Sequence, residues 1–262
     1  ARYLLPIDAI LMVEEGEVDH LVPERVWAET RKALATDAPQ RFFEVLRGCA
    51  ALAVLFPEID RLFGVPQPQK YHPEVDTGIH TMMVLQQAVT LSQEPRVRFA
   101  ALVHDLGKGL TSELQWPRHY GHEKSGVSLV DALCDRLRVP NDYRALGKLV
   151  AEYHGHYRRV TSELRADTIL KTLHALDAFR RPDRFREFLL ACEADMRGRS
   201  GFEGRNTGYA EAFTELFEVA NAVSAQEVIA DGVEGKAVGA ALDQRRLAAI
   251  KTVLSRIRNQ TQ

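Results

Sequence analysis

Apolar residues recur at three- and four-residue intervals along most of the chain, with no convincing strand-like alternation. Residues 23–36 open with Pro23, which suits a first helical turn, and carry Val26, Trp27, Thr30 and Leu34 on one side. Residues 39–55 read as a second helix whose apolar side is Phe42, Phe43, Val45, Leu46, Leu52 and Leu55. The stretch "FPEIDRLFGVPQPQKYHPEVDTG" then breaks the pattern with four prolines, and it reads as a long loop and a boundary. Beyond it the spacing predicts helices over 77–91, 96–106, 124–138, 141–154, 167–179, 183–197, 208–222 and 240–257. Pro95, Gly107, Pro140 and Pro182 separate several of them. The predicted fold class is all-α.

Composition adds bounds. A chain of 262 residues has room for one large domain or two modest ones, and 45% hydrophobic with 27% charged residues is ordinary for a soluble protein. A formal charge of −2 gives no global pull toward nucleic acid or anionic membrane. Arginine is locally dense, at Arg158–Arg159, Arg180–Arg181, Arg184, Arg186, Arg197, Arg199 and Arg205. Such a set is either a phosphate-binding face or a series of solvated helix faces. Cys49, Cys134 and Cys192 are far apart and set among apolar residues, as buried thiols of a reducing cytosol would be. The early apolar run "LLPIDAILMV" contains Asp8, is too short to span a bilayer and lacks a signal-peptide pattern, which predicts a cytoplasmic chain without membrane contact.

The chemistry centres on "VRFAALVHDLGKGL". Phe99, Leu102, Val103 and Leu106 form an apolar stripe, and Gly107 is placed to end the helix. His104 and Asp105 then occupy the last turn, about 100° apart, and converge on one ion only at the helix end. An imidazole with a carboxylate suits a divalent ion such as Mn²⁺, Fe²⁺, Ni²⁺, Co²⁺ or Zn²⁺, or Mg²⁺ with enough oxygen ligands. Taken alone, the dipeptide reads equally as a polar helix end. His80 adjoins the apolar positions Ile79, Met83 and Val84, and Asp195 continues the core face of Phe185, Phe188, Leu189 and Cys192. A carboxylate on an apolar face needs a partner, either a shared metal or an ion pair to Arg197 or Arg199 that the helical spacing disfavours. "WPRHYGHEKSG" adds His119 and His122, and "LVAEYHGHYRR" adds His154, each either a ligand or an ordinary polar residue. His20, His72 and His174 lack partners by spacing and read as structural or exposed. In "DGVEGKAVGAALDQRR", glycines 232, 235 and 239 suggest close helix packing before a phosphate-cradling turn.

The order His80, His104–Asp105, Asp195 resembles the H…HD…D signature of HD-domain metal-dependent phosphohydrolases, with "HDLGKG" at its centre. That resemblance implies an HD helical bundle in which these four residues ligate a divalent cation. It places Lys108 where a lysine often contacts the substrate phosphate, and gives His122, in "GHE", an active-site position. Asp105, Lys108 and His122 are the catalytic candidates; Arg118, His119 and His154 are further phosphate-binding candidates. In such a site Asp105 would take a proton from the attacking water, while Lys108, Arg118 or His122 would offset phosphate charge.

A wider set, "LVPERVWAET", "FFEVLRGCAALAVLFPEIDRLFGVPQPQKYHPEVDTGIHT", "RFAALVHDLGKGLT", "WPRHYGHEKSGV", "LCDRLRVP" and "EADMRGRSGFE", resembles the C-terminal portion of the bacterial multifunctional CCA-adding enzymes. These are tRNA nucleotidyltransferases that carry an HD domain. The resemblance implies a helical neck and body over 1–70, the HD domain over 71–200 and a helical tail over 201–262. It also implies 2′,3′-cyclic phosphodiesterase, 2′-nucleotidase and phosphatase activity with nickel or another transition metal. The tRNA 3′ end and small nucleotides bearing 2′,3′-cyclic or 2′-phosphates are the implied partners, with a monomer or homodimer as the assembly. The family's polymerising head uses magnesium, paired aspartates and a Gly-rich motif, whereas this sequence has no Asp-x-Asp and no Gly–Gly and opens at "ARY". The expectation is therefore a chain without the nucleotidyltransferase head and without CCA addition of its own. The rival readings are a tRNA-binding helical module with a vestigial HD site, and a stand-alone HD-type nucleotidase.

Overall fold

The computed structural model describes residues 13–261, so most of "LLPIDAILMV" and the opening "ARY" lie outside the described residues. The described chain is helical, with one isolated antiparallel bridge, Pro66 to Asp76. The helices are α1 (Pro23–Leu34), α2 (Gln40–Gly48), α3 (Ala51–Leu55), α4 (Pro57–Asp60), α5 (Thr77–Leu91), α6 (Pro95–Val103), α7 (His122–Leu137), α8 (Asn141–Arg159), α9 (Ala166–Ala175), α10 (Pro182–Arg197), α11 (Tyr209–Asn221), α12 (Ala225–Ala230) and α13 (Ala237–Thr261). No described helix is long and apolar enough to cross a membrane.

Two compact units emerge, residues 1–152 with 190–205, and residues 153–189 with 206–262. Residues 71–200 contribute to both. In the first unit, Trp27 of α1 meets Phe99 of α6 and Tyr143 edge-on, at ring separations of 5.6 and 4.9 Å. Leu34, Phe43, Leu52, Ile59, Leu85, Leu102, Val130 and Leu133 extend this core across α1 to α7. Arg98 is fully buried on α6, and its guanidinium donates to the carbonyls of Leu34, Thr36 and Ser92. It thereby satisfies carbonyls at the C-terminal end of α1 that have no helical partner. In the second unit Phe185 and Phe213 pack edge-on at 5.5 Å, and Arg258 of α13 donates to the Thr161 and Leu164 carbonyls.

The helix predicted over 39–55 is two helices. Ala50 adopts a left-handed φ of 61°, which breaks the run between α2 and α3, and an exposed alanine carries no sequence signal for that conformation. α6 also stops earlier than predicted, at Val103, and the chain continues as a 3₁₀ turn over Leu106–Leu110. Gly107 lies inside that turn. Its role is close approach: a Cβ there would sit 1.9 Å from the His122 carbonyl oxygen and 2.7 Å from the Gly126 nitrogen. The arginines pair locally, with Arg180 and Arg181 on Asp177, Arg186 on Asp183 and Arg197 on Glu193. Gly232 and Gly235 take positive φ in turns, and a Cβ on Gly239 would meet nothing within 4 Å, so close packing at that glycine is not observed.

Candidate metal centre

Three local devices deliver the side chains of the first unit to one point. Asp76 caps α5, with Oδ1 accepting from Ile79 N at 2.9 Å and Oδ2 from Gly64 N at 2.6 Å. Thr77 bonds the Val65 carbonyl through both its amide and its hydroxyl, and Gly78 lies so close to the Phe63 ring that a Cβ would stand 2.4 Å from it. These contacts dock the start of α5 against residues 62–65 and fix His80 one turn in. Gly198, just past α10, approaches the Val84 backbone so tightly that a Cβ would lie 2.6 Å from its Cα, which brings the Gly198 carbonyl onto His80. The 3₁₀ turn after α6 carries His104 and Asp105 at its entrance.

His80 is fully buried and itself sits on the buried face of α5; Ile79, expected beside that face, is exposed. His80 Nδ1 lies 3.0 Å from the Gly198 carbonyl and 2.9 Å from Glu74 Oε1, both acceptors, so this nitrogen carries the proton. His104 Nδ1 likewise faces the Ala101 carbonyl at 2.7 Å. The two Nε2 atoms point inward, His80 to Asp195 Oδ1 at 3.1 Å and His104 to Asp105 Oδ2 at 3.1 Å, with His104 Nε2 3.8 Å from Asp195 Oδ1. A neutral imidazole protonated at Nδ1 turns a lone pair from Nε2 toward a carboxylate lone pair. Only a second proton or a cation resolves such a contact. Two imidazoles and two carboxylates, all buried, are therefore a donor set that fits a divalent ion of intermediate softness. Ligand atoms of His80, His104 and Asp105 come within 4.8 Å of one another.

Burial opposes ionisation of Asp195, but the Arg199 guanidinium and the His80 hydrogen bond outweigh it and hold the carboxyl well below its usual range. Arg199 Nη2 contacts Asp195 Oδ1 at 3.3 Å, so the ion pair expected to be absent is present, as its i,i+4 spacing allows; Arg197 turns instead to Glu193. Lys108 Nζ donates to Asp105 Oδ2 at 2.6 Å and to Gln67 Oε1 at 2.5 Å. His122 Nε2 lies 3.5 Å from Asp105 Oδ1, and its Nδ1 donates to the His119 carbonyl at 2.8 Å.

Among the remaining candidates, His119 is consumed structurally, one nitrogen on the Pro66 carbonyl at 2.8 Å and the other on the Thr111 hydroxyl at 2.6 Å. Arg118 is exposed and contacts Tyr120 Oη. His154 is buried in the second unit. His174 is exposed and pairs with Asp243, and His20 is exposed.

Spacing missed three residues here. Glu74 accepts from both His72 Nδ1 at 3.1 Å and His80 Nδ1, and its side chain is 2% exposed. Burial disfavours its charge, and the two histidine hydrogen bonds outweigh this and hold it below the usual carboxylate range. His72 is buried beside His80, ring centroids 4.7 Å apart, and burial pushes its imidazole down to about 4. Gln67 is the third. All three lie in the proline-rich loop, where no helical period reveals a partner; "HPE" just before the Asp76 cap was the available signal.

Comparison with known proteins gives a consistent picture. Residues 77–180 match the HD domain family, and residues 12–63 match the family described as "Probable RNA and SrmB- binding site of polymerase A". The chain is 59% identical over 240 residues to the Multifunctional CCA protein of Thioalkalivibrio sulfidiphilus, covering 92% of this chain and 58% of that protein. It is 57% identical to the Multifunctional CCA protein of Nitrosococcus oceani, covering 92% of this chain and 59% of the relative. The chain thus spans somewhat less than three fifths of the length of these curated relatives.

Proposed function

From the premise that this chain carries an HD-type metal-dependent phosphohydrolase and is homologous to the Multifunctional CCA proteins, we propose that its site hydrolyses 2′,3′-cyclic phosphodiesters, 2′-nucleotides and simple phosphomonoesters. The observation that carries the reading is the inward-facing set of His80, His104, Asp105 and Asp195, whose Nε2–carboxylate contacts call for a second proton or a cation, which a divalent ion would supply. These four residues would hold the ion, with nickel or another transition metal suited to two imidazoles. When bound, a divalent ion lowers the pKa of coordinated water and polarises a phosphoryl oxygen.

The chain's own groups do the rest. Asp105 joins the ion-binding set to Lys108 and would take the proton from the attacking water. Lys108 offsets charge on the phosphoryl oxygens, and His122, against the second oxygen of Asp105, protonates the leaving alcohol. The 1–70 and 201–262 segments serve as neck, body and tail, with tRNA as the partner whose damaged 3′ ends the site clears; the family match over 12–63 supports an RNA-binding role. CCA addition belongs to the whole protein rather than to this site.

The test is hydrolysis of 2′,3′-cyclic AMP by the chain with Ni²⁺, Mn²⁺, Mg²⁺ or chelator, beside Asp105→Ala. Metal-dependent turnover that falls at least about a hundredfold in the variant is expected. Absence of turnover with every metal, or turnover that survives the substitution, sinks the reading.

A further inference from the structure

Gln67 has been given no role so far, yet it is 2% exposed and its side chain bonds to Lys108 at the site. Its main chain is locked, with Gln67 N donating to the Val75 carbonyl and the preceding carbonyl, of Pro66, accepting from His119. Its side chain is oriented as firmly. An ammonium has donors only, so the amide must present oxygen to Lys108 and turn its nitrogen away. That Nε2 has no hydrogen-bond partner among the described residues. A buried amide donor left unpaired is costly. Lys108, which holds the oxygen end, is itself bonded to Asp105, so the waiting donor stands two hydrogen bonds from the proposed ion-binding carboxylate.

We propose that Gln67 is a substrate-binding residue, its Nε2 donating to a non-bridging oxygen of the phosphoester beside Lys108. The proposal rests on the hydrolytic reading and names how that site grips its anion. The acceptor is a phosphoryl oxygen because the Gln67 donor stands beside the Lys108 ammonium, and an anionic oxygen accepts a stronger hydrogen bond than a ribose hydroxyl. Gln67 and Lys108 then act as one unit: the lysine orients the amide, and the amide supplies the directional donor that a mobile ammonium does not.

The probe is inorganic phosphate, which has no ribose, titrated calorimetrically into the full Mn²⁺-loaded chain. Two variants separate the roles. Gln67→Met keeps size and neutrality but has no donor; Gln67→Glu keeps an oxygen for Lys108 and replaces the donor with a second acceptor. Both are expected to bind phosphate at least about tenfold more weakly and to raise KM for the phosphoester alike, while Mn²⁺ affinity stays within about twofold of wild type. Phosphate binding by Gln67→Met within about twofold of wild type overturns the proposal, as does a wild-type chain that binds no phosphate. Should Gln67→Met not fold, unchanged phosphate binding by Gln67→Glu overturns it equally. Metal-dependent turnover of the wild type, measured on the same samples, shows separately whether the hydrolytic reading stands.

Discussion

The value of His80 and His104 to an ion lies in their far sides. Each directs its Nδ1 proton to a fixed acceptor, the Gly198 carbonyl with Glu74 for His80 and the Ala101 carbonyl for His104, and so turns Nε2 toward the carboxylates. Glu74 is the acceptor that can be changed without touching a ligand. Glu74→Gln keeps one oxygen but removes the charge and the second acceptor, and metal affinity is expected to fall about 10- to 100-fold. Competition against a fluorescent chelator measures this, and an unchanged affinity would show that Gly198 alone orients the ring. At this scale the candidate ligands were legible through the HD signature, while helical period only placed His80 and Asp195 near core faces. Their supports were not. Arg199 pairs with Asp195 at i,i+4, a spacing that favours such a contact and was discounted, whereas Glu74 and Gln67 come from a loop with no period at all.

Among the elements, the 3₁₀ turn over Leu106–Leu110 decides the geometry. Had α6 run on to residue 106 as the spacing suggests, His104 and Asp105 would diverge around a helix. Instead His104 keeps helical angles, Asp105 moves to φ −111° and ψ 13°, and the two side chains meet. The turn is pressed against α7 through Gly107. Gly107→Ala puts a methyl 1.9 Å from the His122 backbone oxygen, a contact that only main-chain movement relieves. The expected cost is about 1–3 kcal/mol or more, together with weaker metal binding as the turn and Asp105 shift. Thermal melts read the first effect and chelator competition the second; a variant that melts with wild type would show the contact to be less rigid. The glycine was visible in the sequence, but as a helix terminator, since close approach to a distant backbone leaves no local mark. Ala50 is the same lesson at the α2–α3 break, where the apolar pattern continues straight through a left-handed residue.

At the scale of the molecule, helical periodicity was enough for the all-α class, because nearly every element buries one face against others. Division of the chain was harder to read. The long loop that looked like a boundary lies within the first unit, where it brings Gln67, His72 and Glu74 to the candidate metal centre. A site assembled from residues 67 to 199 of one unit also ties metal occupancy to that unit's stability, since an ion bound only by the folded state stabilises it by mass action. The central claim is that His80, His104, Asp105 and Asp195 hold a divalent ion on which hydrolysis depends. Equilibrium dialysis of the full chain against Ni²⁺ or Mn²⁺, with elemental analysis of the retained protein, tests it most directly. The expected result is a tightly retained ion in the wild type that His104→Ala and Asp195→Asn both lose, with the melting temperature no longer responding to metal. Retention of metal by both variants at the wild-type level, or none by the wild type, would contradict it.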